Sequence, residues 1–137
     1  MSATIRSIDY EASLTLLDGL KPSVVIQYQK LCAAGWRFWI TETKRGYCRY
    51  HTKEITVPLW AKNRGARYYN WYFCHEMAHA IAGHLADHGP VFMAALIAIC
   101  PVESIELEIT YKPRNAIAAG IGQAPTIDWL DISADDI

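Results

Sequence analysis

Residues 71–97 read WYFCHEMAHAIAGHLADHGPVFMAALI and carry four of the chain's five histidines, His75, His79, His84 and His88, with a single glutamate, Glu76, among them. His75 and His79 stand four apart. On a helix that is a rise of about 6 Å and a rotation of about 40°, so both imidazoles leave one face and can converge on one ion. Glu76 adjoins the first of them and can reach a water at that ion. H-E-x-x-H therefore supplies two zinc ligands and a general base within one turn. Zinc held there polarises a carbonyl and acidifies a water, while Glu76 takes the proton and passes it to a leaving amine. No serine or cysteine nucleophile is needed, and Cys74, which points elsewhere on the helix, reads as a packing residue.

The third ligand is a question of geometry. Metzincin spacing would place it at Leu85, which excludes that class. His84 is rotated about 140° from the ligand face and joins only if the helix breaks at Gly83. It reads instead as a cation near a helix C-terminus, where the dipole favours it. His88 would lie about 13–14 Å beyond His79 on a continuous helix, too far to share an ion. It requires the chain to leave the helix over 83–87 and fold back, and Gly83, Asp87 and Gly89-Pro90 are residues that make such a turn. Asp87 is a second candidate ligand there, though a turn residue or N-cap is the preferred reading. The competing structural readings are histidines hydrogen-bonded in a core, or a closed zinc site, which favours thiolates.

The flanking elements follow from period and punctuation. Residues 9–19 have helical spacing, and Pro22 opens a second helix that Gly35 ends. Residues 36–42, 47–51 and 54–58 are aromatic and β-branched, and read as strands of a small antiparallel meander closed by Pro58. A helical period resumes near Arg64. Tyr68, Tyr69, Trp71, Tyr72 and Phe73 surround that helix, which makes it central and buried. Pro90 opens a further helix to about residue 100. Beyond Pro101, Ile105, Leu107, Ile109 and Tyr111 alternate with polar residues and predict a strand. A short helix is expected near 114–119, and an acidic tail in which Trp129 and Leu130 could dock.

The whole suits one α+β domain: 137 residues, 52% hydrophobic and 20% charged. A net charge of −1 draws the chain toward neither nucleic acid nor an anionic membrane. Two local basic clusters, Lys44/Arg45/Arg49 and Lys62/Arg64/Arg67, read as solvated faces. The four cysteines, at 32, 48, 74 and 100, form no C-x-x-C pair, which excludes a zinc ribbon and points to reduced thiols in an intracellular, cytoplasmic setting. There is no signal-like N-terminus and no apolar run of the roughly 20 residues that span a bilayer, so no membrane partner is expected.

HEMAHAIAGHLADHGPVF resembles the SprT-like (Spartan-like) zinc metalloprotease family, whose pattern is H-E-x-x-H, a variable insert, then H-G-P-x-F. His75, Glu76 and His79 match the first part; His88, Gly89, Pro90 and Phe92 match the second. GYCRYHTKEITVP resembles the family's small sheet, and the likeness covers roughly residues 32–100. It implies a zincin-like minimal metalloprotease domain: N-terminal helices, a small antiparallel sheet, and an active-site helix followed by a second helix. The implied core is about 22–100, with 101–137 as a C-terminal extension. The resemblance further implies Zn2+ on His75, His79 and His88, Glu76 as catalytic base, and a protein or peptide substrate. DNA or a DNA-bound protein is a further partner the resemblance raises, with weak support: many members carry a C-terminal zinc ribbon or DNA-binding extension, and neither is expected in this sequence. HEMAHAIAGH is also similar to ImmA/IrrE-type regulatory metallopeptidases, which act on repressors and take a downstream glutamate as third ligand, here Glu103, Glu106 or Glu108. A metal-stabilised binding module without peptidase activity is the non-enzyme alternative. Tyr68, Tyr72 and Arg67 are the candidate oxyanion donors.

Overall fold

The computed structural model describes residues 16–86 and 88–112. Most of the expected first helix, the expected helix at 114–119, the acidic tail and Asp87 lie outside them. The described elements are α1 (Pro22–Ala33), β1 (Arg37–Thr41), β2 (Tyr47–Arg49), β3 (Glu54–Pro58), α2 (Leu59–Lys62), α3 (Ala66–Ala82), a 3-10 turn (His84–Ala86), α4 (Pro90–Ile99) and α5 (Val102–Tyr111). This is a mixed α+β arrangement, as expected.

α3 is the axis of the fold. It packs against all the other described helices and against β2 and β3. Tyr69, Trp71, Tyr72, Phe73, Cys74 and Met77 are all buried along it, so an aromatic run on every side of a helix does mark a central element. Phe73 stacks on Phe38 of β1 at 5.4 Å between ring centroids. α1 is tied to α3 through a polar side chain: Asn70 Oδ1 accepts the Lys21 N–H at 2.9 Å, just before Pro22 opens the helix. Tyr69 donates its hydroxyl to the Leu16 carbonyl at 2.6 Å.

The sheet is not the expected antiparallel meander. Its order is β1-β3-β2, with β1 parallel to β3 and β2 antiparallel to it. β3 has taken the centre. Four consecutive residues of β1, Phe38 to Thr41, are buried, the unbroken burial typical of a parallel pairing covered on both faces. β2 is three residues long and largely exposed, so it can pair on one side only.

The strand expected at 105–111 is instead part of α5. Ser104, Leu107 and Glu108 are its buried positions, spaced i, i+3, i+4 on one helical face. Two of those three are polar, so the inward stripe is invisible to a hydrophobic pattern, and the outer Ile/Glu alternation imitates a strand. Tyr111 completes the face by stacking on Trp71, 5.7 Å between centroids. Arg67 donates from Nε to the Glu103 carbonyl, and Ser104 Oγ donates to the Arg67 carbonyl at 2.9 Å. Among the described residues, no helix is long and apolar enough to cross a membrane.

Where the loop after β1 enters β2, Gly46 donates its N–H to the Tyr72 hydroxyl at 2.9 Å. A Cβ there would stand 2.5 Å from the Thr56 carbonyl oxygen and 2.8 Å from the Tyr72 ring. Gly46→Ala is therefore expected to destabilise the fold by roughly 1–3 kcal/mol through overpacking, read as a lower urea midpoint at unchanged m-value.

Candidate metal centre

α3 ends at Gly83, whose φ of +92° is left-handed backbone that suits glycine. The 3-10 turn follows. The Gly89 N–H bonds back to the Ala86 carbonyl at 3.0 Å, and Pro90 starts α4. The chain thus reverses over the stretch where the sequence predicts it must. His88 stands at the end of the reversal and faces the helix it left: its ring centroid lies 5.3 Å from that of His75 and 4.6 Å from that of His79. One nitrogen from each of the three imidazoles lies within 4.8 Å of the others.

Phe92 explains how three polar rings are held in an apolar interior. It is fully buried on the first turn of α4, with its ring 5.0, 4.5 and 5.0 Å from the rings of His75, His79 and His88. One aromatic surface therefore backs all three histidines.

This cluster could hold a metal ion. Three ligands on a tetrahedral ion are separated by about 3.3 Å, given bonds of about 2.0–2.1 Å, which modest ring rotation would reach. The donor set is also chemically suitable. Burial, then the neighbouring His75 and His88, lowers the His79 pKa to about 3, so its lone pair is available at neutral pH. Cys48, on the wall of the same cavity, is pushed up to about 12 by burial and then by the Glu76 charge. It remains a thiol, and the candidate ligands are imidazoles alone.

The histidines open onto a cavity of about 360 Å³ whose wall includes Glu76, Tyr72, Gly46, Arg45 and Lys112. Glu76 is 6% exposed. Burial lifts its pKa to about 7; the charge of His75 pulls against that lift, Glu108 adds to it, and Lys112 opposes it. A carboxyl near neutrality can both take and return a proton.

The remaining sequence candidates separate clearly. His84 lies in the 3-10 turn beyond α3, exposed and 5.5 Å from the Tyr50 ring; it borders the cavity but is not in the cluster. Glu103 and Glu106 form surface ion pairs, with Lys21 at 2.7 Å and Arg67 at 3.7 Å. Glu108 is buried beside His75, with Oε1 2.8 Å from Nδ1, and is likewise outside the cluster. Of the three proposed oxyanion donors only Tyr72 lines the cavity. Burial and then Glu76 raise its pKa, so the phenol keeps its proton. Tyr68 is packed against Trp60, Trp71 and Tyr111, and Arg67 is spent on α5. Arg45, read from the sequence as part of a solvated basic face, lines the cavity, and Lys112 is a cavity residue that sequence reasoning did not single out. Lys112 reaches the site only because 102–111 is helical.

No family model, curated protein or solved structure matches this chain.

Two outcomes are expected at the candidate centre. His88→Ala is expected to lose bound metal and His84→Ala to retain it, measured as metal content per chain after dialysis. In metal-free protein, Glu76 has a folded pKa above its unfolded value, so it costs stability progressively as pH rises from about 4.5 to about 7. Glu76→Gln should then match wild type below pH 4 and exceed it at pH 8, by on the order of 3 kcal/mol, in urea unfolding with chelator present.

Proposed function

We propose that this chain is a zinc-dependent metallopeptidase of the SprT-like type, with His75, His79 and His88 as ligands and Glu76 as general base. One observation carries the reading: a buried carboxyl, Glu76, shares a cavity with a cluster of three imidazoles. A closed structural zinc site would not need that cavity, and a binding module would have no use for a desolvated carboxylate next to the ligands.

When bound, zinc supplies Lewis acidity toward a peptide carbonyl and a water. The chain's own residues supply the rest. Glu76 takes the proton from the attacking water and delivers it to the departing amine. The Tyr72 hydroxyl, held by Gly46 N–H at 2.9 Å, is the donor best placed along the wall to stabilise charge developing on the carbonyl oxygen. The substrate class is protein or peptide. A DNA partner gains little support, because the basic cluster at 62–67 is committed within the chain: Lys62 pairs with Asp18, Arg64 lies over the Tyr68 ring, and Arg67 binds α5. The glutamate-ligand alternative also gains none, since Glu108 meets the Nδ1 side of His75 and the other two glutamates lie at the surface.

Glu76→Gln is expected to keep zinc at wild-type stoichiometry while peptide hydrolysis falls by about 10²–10⁴-fold, assayed on an unfolded protein substrate. Full activity in this variant would remove the peptidase reading.

A further inference from the structure

We infer that Glu108, on α5, is a positioning residue for the metal centre, one that fixes His75 in the tautomer presenting Nε2 to the ion. The inference rests on the metal-centre reading given above and concerns a residue outside the histidine segment.

Glu108 has no exposed surface. A carboxylate buried so completely is costly unless donors surround it. A single oxygen, Oε1, takes two of them: the indole N–H of Trp71 at 2.9 Å and Nδ1 of His75 at 2.8 Å. Trp71 and His75 are four apart on α3, so one carboxylate oxygen bridges successive turns of the helix that carries the site. An acceptor at Nδ1 requires the proton there. The other nitrogen, Nε2, is then left with its lone pair, and it is the atom His75 can offer to the cluster with His79 and His88. The Trp71 bond matters because it holds the oxygen from a second direction, so the carboxylate cannot follow the ring if His75 rotates.

Glu108 is itself anchored. Arg67 Nε donates to the Glu103 carbonyl and Ser104 Oγ to the Arg67 carbonyl, while Tyr111 stacks on Trp71. These contacts fix α5 on both sides of Glu108, giving the orienting group the rigid support that a precise site needs. Glu108 is thus the residue that sets the direction of the most deeply buried ligand.

The test uses the zinc-loaded full chain, with zinc affinity measured by competition against a chromophoric chelator and ring protonation by long-range 1H–15N NMR. In wild type, His75 should be metallated at Nε2 and show a persistent Nδ1–H. Metallation through Nδ1 would overturn the inference without recourse to any variant. Glu108→Ala should weaken zinc binding by about 10–100-fold and lose the Nδ1–H signal. Glu108→Gln, which retains an acceptor oxygen of the same shape, should restore that signal and most of the affinity. A folded Glu108→Ala protein that binds zinc within threefold of wild type would also overturn it. Zinc binding with these dependences but without peptide hydrolysis would remove the peptidase reading and leave the role of Glu108 standing.

Discussion

The reversal of the chain between α3 and α4 is the constraint on which the site depends. A straight helix can bring two imidazoles to one point but not a third. The third must return from outside, and the distance it returns is set by how abruptly the helix stops. Gly83 stops it with a left-handed residue, and Pro90 starts the next helix almost at once. Between them the chain makes one short 3-10 turn, which carries His84 away from the cluster and returns His88 to it. Phe92, two residues into α4 after Pro90, then closes the arrangement by packing against all three rings. Helix end, helix start and aromatic backing are three local features with a single geometric result.

Much of this was legible because it is local. The i, i+4 pair, the glycine at the helix end and the Gly-Pro before the next helix each act within a few residues. The aromatic girdle of α3 was legible for a different reason: no surface helix tolerates it. The sheet was not. Strand positions can be read from composition, but β1 beside β3 in parallel is a non-local choice, decided by which strand can be covered on both faces. α5 was misread for the most instructive reason. Its inward face includes Ser104 and Glu108, and a polar residue at a core position hides the helical period. Such departures from pattern tend to fall where a buried polar group has a task, and Glu108 meets both Trp71 and His75.

Electrostatics divides the cavity in a way the residue list alone does not suggest. The histidine cluster is kept neutral on its His79 side by burial and crowding, and burial likewise lifts the Glu76 carboxyl beside it toward neutrality. Arg45 and Lys112 bring positive charge to the wall. Lys112 acts on His75, Glu76 and His79 together, opposing protonation of each. The residue just past α5 therefore influences three of the site's four groups at once.

The aromatic casing around α3 has one further consequence. Trp71, Tyr69, Tyr72, Phe73 and Phe92 are all fully or almost fully buried, and together they form a core that owes nothing to an ion. A small zinc module of the finger type collapses without its metal, because binding energy there is folding energy. Here the scaffold carries its own cohesion, and the histidine cluster is an attachment to it. A chelator should accordingly empty such a centre while leaving the architecture upright, and the vacated position could be refilled with cobalt, a spectroscopically visible substitute, in a protein that never had to refold.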